Sequence, residues 1–211
     1  MALDRETVVR TALRVLDDVG LDGLTLRRIA SELGVQPPAL YWHFKNKQEL
    51  VDEMAAAVLA DTVRDFAPGA DAGWEEWALQ FGHALRRMLL GHRDGAKVFS
   101  GTYLTDTDLY RPMEAALRTF TDAGFSLAGA TGGMMTIYCY TVGFAIEEQA
   151  VHPRPGEPDP RYDVARRAER LDAETLPLAR AAGQELFTGF DERFTRGLQL
   201  IIAGLRASLA G

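Results

Sequence analysis

Apolar residues recur along most of the chain at three- and four-residue intervals, while strand-like alternation is scarce and hairpin signals are absent. The pattern predicts an all-α fold. Val9, Ala12, Leu13, Leu16 and Val19 share one face of a helix over 4–19, with Asp4 as N-cap and Gly20 as stop. A short helix follows from the cap Thr25, facing inward with Leu26, Ile29, Ala30 and Leu33, and ends at Gly34. A third begins after Gln36, accommodates Pro37 and Pro38 in its first turn, and ends near His43. Asn46-Lys47-Gln48-Glu49 resembles a capping box that opens a long helix through Val51, Met54 and Val58. Pro68-Gly69 breaks that helix. Beyond it the pattern predicts helices over 74–90, about 107–123, 126–151, about 161–181 and 184–209, with a short broken segment at 91–101 and a proline-rich loop at 152–160. The expected domains are 1–47, a connecting helix over 47–67, and a helical bundle over 68–211.

Residues 123–146 carry no charge, a length sufficient to span a bilayer. Five glycines and three threonines in that stretch make insertion poor, so it is read as a buried helix, with Gly129 and Gly133 permitting close helix approach at a packing or dimer face. The net charge of −7 argues against a nucleic-acid binder only if it is evenly spread. Residues 1–50 are balanced, with seven basic and seven acidic side chains, and 27–47 holds Arg27, Arg28, Lys45 and Lys47 against Glu32 alone. The one cysteine, Cys139, precludes an internal disulfide and is expected to be a small buried residue. With no apolar N-terminal leader, a cytoplasmic location is expected. His83, His92 and His152 lack metal-ligand spacing, and no phosphate loop or catalytic motif is present, so neither enzyme activity, cofactor nor metal is expected.

A helix, a short helix, a glycine-containing turn and another short helix form the helix-turn-helix pattern. The reading helix must expose its N-terminal end to base edges while its neighbours hold phosphates. Gln36, Pro37 and Ala39 stand at that end, where Gln36 can pair with adenine and small apolar groups can touch thymine methyls. Tyr41, His43 and Lys47 offer phosphate donors, Thr25 sits at a helix N-terminus, and Arg27 can reach a guanine or a phosphate.

The run Leu24–Lys47 strongly resembles the tetracycline-repressor family of transcriptional regulators. Arg93–Val98, Asp122–Leu127 and Gly143–Gln149 are similar to the regulatory domain of its tetracycline-binding subgroup. The resemblance implies a homodimer that binds a palindromic double-stranded DNA operator and is released by a small-molecule effector. It places Thr25, Arg27, Gln36, Pro37, Pro38, Ala39, Tyr41, Trp42, His43 and Lys47 in the DNA-binding set. Trp42 and Phe44 have structural roles as alternatives, and Leu40 reads as core. Pro37 replaces a base-reading glutamine, so operator sequence does not transfer. The implied effector positions are Val63, Phe81, Leu85, Phe99, Thr102, Met113, Ala116, Leu117, Met134, Met135, Tyr138 and Glu147. Phe99, Phe81, Val63 and Ala116 replace polar or metal-ligating residues of the drug site, which excludes a tetracycline–magnesium effector and favours an apolar or aromatic one. The alternative is a helix-turn-helix protein without an effector. Helices 126–151 and 184–209 suit a four-helix dimer interface, with Gly197 and Gly204 permitting close approach. Movement of 94–101 is expected to push helix 47–67.

Overall fold

The computed structural model describes residues 3–66, 68–69, 72–100, 110–154 and 157–209. Helix α1 (Arg5–Gly23) starts where Asp4 accepts the Thr7 N–H at 2.7 Å, and it kinks at Gly20, whose φ of 74° would strain any side-chain-bearing residue. Helix α2 (Leu26–Glu32) is capped by Thr25, and Gly34 turns the chain at φ 67° into α3 (Pro38–Tyr41). Helix α4 (Lys47–Asp65) begins at Asn46, which accepts the Glu49 N–H at 2.9 Å. Its box is shifted by one residue, because the Glu49 carboxylate reaches back to the N–H of Lys45 rather than of Asn46.

Helices α5 (Trp74–Leu90), α6 (Gly95–Phe99), α7 (Tyr110–Asp122) and α8 (Leu127–Val151) follow. Helix α5 lies centrally, packed against α4, α6, α7, α8 and the final helix α11 (Phe190–Leu209). The single helix expected over 161–181 is two, α9 (Val164–Glu169) and α10 (Pro177–Phe187). Asp172 causes the break: its carboxylate gathers the N–H groups of Glu174 and Thr175 and the Thr175 hydroxyl into a turn, and Pro177 restarts the helix in its first turn. The helix expected from 184 likewise divides before Phe190, at Gly189 with φ 61°. The loop expected over 152–160 contains an Arg154–Glu157 bridge and leads into a 3-10 turn, Pro160–Tyr162.

Two cores form. One joins α1–α4 to Leu85, Met88 and Leu89 of α5, Ala96, Val98 and Phe99 of α6, and Val142 and Ala145 of α8. Apolar packing is therefore continuous between the N-terminal helices and the bundle. The second is aromatic, built from Trp74, Trp77, Phe120, Phe125 and Phe194 with Ala116, Ile137 and Leu198. Helix α8, charge-free as far as Ile146, is buried on one side only: Ala130, Ile137 and Val142 are inside, whereas Leu127 and Met135 remain 64% and 55% exposed. Cys139, expected to be buried, is exposed on that outer side, because its register follows Met135 by one helical turn. Among the described residues no helix is long and apolar enough to cross a membrane.

Candidate nucleic-acid interface and effector region

The back of α3 is pinned. Leu40 and Phe44 are fully buried, as their spacing of four predicts. Arg5 lies 4.5 Å from the Phe44 ring centroid, donates to the His43 carbonyl, and pairs with Glu53 at 2.6 Å and Glu49 at 3.5 Å. Backbone donation from Lys45 is the main cause holding the Glu49 carboxyl below its ordinary pKa, with Arg5 adding to it. These contacts fix the reading helix from behind and leave its front open.

On that front Gln36, Pro38, Tyr41 and Trp42 are exposed, Trp42 by 89%, while Pro37, Ala39 and His43 are half-buried. Arg27 is exposed and has no ion-pair partner among the described residues, and the same holds for Arg28 and Lys45. A free cation beside an exposed helix end is what phosphate contact requires. Arg28 and Lys45 were absent from the residue set implied by resemblance, although the local excess of positive charge already contained them. Thr25 spends its oxygen on the Arg28 N–H at 3.2 Å and retains its hydroxyl proton for donation. The Lys47 ammonium donates to the Leu21 carbonyl at 2.8 Å and so also braces the turn after α1.

Among the described residues, the effector positions divide between the two cores and the surface. Phe81 stacks on Trp77, with centroids 4.8 Å apart, and meets the Phe66 edge at 6.1 Å. Leu85 and Phe99 lie in the first core, with Phe99 6.3 Å from Tyr138, whose hydroxyl pKa is raised by burial. Ala116, Leu117 and Met134 belong to the aromatic core. Val63 is half-buried on α4, whereas Met113, Met135 and Glu147 are exposed. Thr102 lies outside the described residues. A cavity of about 10 Å³ borders Phe99, Val98, Leu13 and Leu16, room for one water.

A polar hub joins the two parts of the molecule. Asp17 accepts from the His92 ring at 3.0 Å and the Arg93 N–H at 3.1 Å, and the Arg93 guanidinium donates to the Asp18 carbonyl at 2.8 Å. Asp94, at φ 56°, accepts the Leu21 N–H at 3.0 Å and pairs with Lys97 at 3.0 Å. Burial opposes the Asp94 charge, but these two donors outweigh it and hold its pKa below the ordinary value. Gln149 of α8 closes the hub, accepting the Ala96 N–H and donating to the carbonyls of Leu89 and His92. Sequence reasoning marked 94–101 as mobile but missed Asp17 and Gln149 as its anchors; their partners are 53 to 76 residues away along the chain.

Residues 8–54 match the family model described as bacterial regulatory proteins, tetR family, and 67–209 match the one described as tetracyclin repressor-like, C-terminal domain. Tetracycline repressor protein class C from Escherichia coli is 41% identical over 208 residues, covering 96% of this chain and 90% of that protein. A possible TetR family transcriptional regulator from Streptomyces coelicolor A3(2) superposes with a TM-score of 0.85 at 36% identity, covering 97% and 100% of the two chains. The Streptomyces coelicolor TetR family protein ActR, solved in complex with actinorhodin, gives a TM-score of 0.82 at 28% identity over all of both chains. The shared helix-turn-helix head and helical bundle make this protein a DNA-binding transcriptional regulator and not an enzyme. The chain belongs to the tetR family of bacterial regulatory proteins.

Proposed function

We propose that the protein is a cytoplasmic, homodimeric repressor that binds a palindromic operator and releases it when a small apolar or aromatic organic effector binds. In this reading residues 1–47 read DNA, helix 47–67 transmits, and 68–211 bind effector and dimerise. The observation that carries it is the open front of α3, with Trp42 89% exposed and Arg27, Arg28 and Lys45 unpaired among the described residues. Two such heads on a two-fold axis address half-sites about 34 Å apart. Gln36, Pro37, Pro38, Ala39, Tyr41, Trp42 and His43 supply the reading edge. Thr25, Arg27 and Lys47 supply the flanking donors. The hub through Asp17 and Asp94 supports coupling, since any shift of α6 is felt directly by α1.

The effector is neither a metal chelate nor dependent on one. Phe81, Phe99, Val63 and Ala116 offer no side-chain oxygen or nitrogen to a cation. ActR in complex with actinorhodin supports a ligand-bound regulator on this fold. The tight Trp77–Phe81–Phe66 packing favours a second reading, a regulator with no small-molecule effector. Operator binding followed by fluorescence anisotropy, with and without a panel of planar aromatic compounds, separates the two. Compounds that raise the melting temperature and weaken operator binding at least tenfold support the effector reading. A compound that binds tightly yet leaves operator affinity unchanged removes the proposed coupling.

A further inference from the structure

A cleft of about 650 Å³ runs between α4 and α5, lined by Thr62 and Phe66 on one side and Leu79, Gln80, His83, Ala84, Arg87 and Met88 on the other. None of these belongs to the effector set discussed above. The volume lies within the range of small-molecule sites. Its polar groups are not equivalent. Gln80 already donates to Glu76 at 2.8 Å. Thr62 donates to the Val58 carbonyl at 2.9 Å, which leaves its oxygen only as an acceptor. His83 contacts the Thr195 hydroxyl at 3.4 Å, and its pKa is lowered by burial first and by Arg86 and Arg87 next, with Asp191 opposing. It is therefore neutral at pH 7. The neighbouring Arg86 is neutralised by Glu148 and Asp191. Arg87 remains: exposed, charged and without an ion-pair partner among the described residues. An apolar wall of Phe66, Leu79, Ala84 and Met88 with one free guanidinium at its edge selects an amphiphilic anion.

We propose that the α4–α5 cleft is a second ligand site, taking a small organic carboxylate or sulfonate with its apolar body against Phe66, Leu79 and Met88 and its acid group on Arg87. The site has a consequence for DNA. Helix α4 begins beside the reading head at Lys47 and ends at the cleft, so an occupant between α4 and α5 biases the angle of α4. The site is read without DNA, so its failure and the failure of the repressor reading are distinguishable.

The probe is 8-anilinonaphthalene-1-sulfonate, titrated into the full-length wild-type protein and displaced by decanoate or by decyltrimethylammonium. We expect decanoate to displace it at least tenfold more effectively than the cation. Arg87→Gln should weaken probe binding tenfold or more, Arg87→Lys should keep it within threefold, and Gln80→Trp, which fills the cleft from its rim, should abolish it. Melting curves establish that each variant is folded, and Arg87 and Gln80 lie on different parts of the rim, so loss of one variant to misfolding leaves the other decisive. Equal displacement by the cation, or a change below threefold in Arg87→Gln or Gln80→Trp, overturns the proposal.

Discussion

Arg86 occupies a position where an unpaired charge would be expensive. It is 8% exposed, donates through two nitrogens to Glu148 at 2.6 and 2.8 Å and through a third to Asp191 at 2.7 Å, and lies 5.1 Å from the Phe194 ring. Burial works against its charge, and the two carboxylates more than offset that, so its pKa is raised. Removing Arg86 leaves Glu148 as an unpaired buried ion, and removing Glu148 leaves the buried Arg86 only the exposed Asp191. Arg86→Met or Glu148→Leu should each cost about 3–5 kcal/mol, and the double variant should cost clearly less than their sum, by urea denaturation. Additive losses would mean that the two groups are not coupled. No sequence pattern announced this pair: the partners are 62 residues apart, and an arginine in an amphipathic helix reads by default as a surface residue. The reading helix behaves differently, because its roles follow from spacing alone. Leu40 and Phe44 face inward, whereas Tyr41 and Trp42 turn outward. Leu40→Ala should destabilise by about 2–5 kcal/mol. Trp42→Ala should leave stability within about 0.5 kcal/mol while weakening operator binding, by chemical denaturation and anisotropy on the same preparation.

At the scale of elements, the short α6 and its preceding loop are tied by hydrogen bonds to α1 and α8, and through Gln149 to α5. Asp94 holds the Leu21 N–H and the Lys97 ammonium, and both favour its ionised form. With a folded pKa depressed below the ordinary 3.8, Asp94 contributes stability above that value, and the contribution is lost as pH falls through the folded pKa. The gap in denaturation midpoint between wild type and Asp94→Asn should therefore be flat from neutral pH down to roughly pH 5 and close below 3.8. A gap that widens on acidification would contradict the assignment. Caps at Asp4, Thr25 and Asn46 were legible because each is a local device with a residue type of its own, whereas Gly20, expected to stop α1, only kinks it before it ends at Gly23. The break between α9 and α10 was not, since the apolar period runs on while the Asp172 turn overrides it. Glycines were legible as close-approach sites but not as to what approaches. Gly197 lies against the Tyr140 hydroxyl within the protomer, and Gly133 lies against Leu205. Gly82 is likewise tight: a methyl group there would lie 2.5 Å from Leu198 Cδ2.

At the scale of the whole molecule, the outer sides of α8 and α11 remain uncovered in a single protomer. Leu127, Met135 and Cys139 line one, and Leu200, 69% exposed, with Ala203 and Gly204 lines the other. Gly132, Gly143 and Gly204 have open space where a side chain would stand, so these backbones are free to approach a partner closely. Such a surface suits the four-helix dimer of the proposed function, and it makes the lone cysteine a reporter. Cys139 is exposed in the protomer, and the proposed α8–α11 dimer would cover it. Gly204→Arg places a long charged side chain in that interface without disturbing the protomer, whose neighbouring atoms are all more than 4 Å away. The variant should sediment as a monomer, react with a thiol reagent at least tenfold faster than wild type, and bind a full palindrome no more tightly than a single half-site, because the second reading head is no longer tied to the first. A variant that stays dimeric with a slow thiol would place the interface elsewhere. One that becomes monomeric yet keeps full operator affinity would show that the two-fold arrangement is not what reads the palindrome.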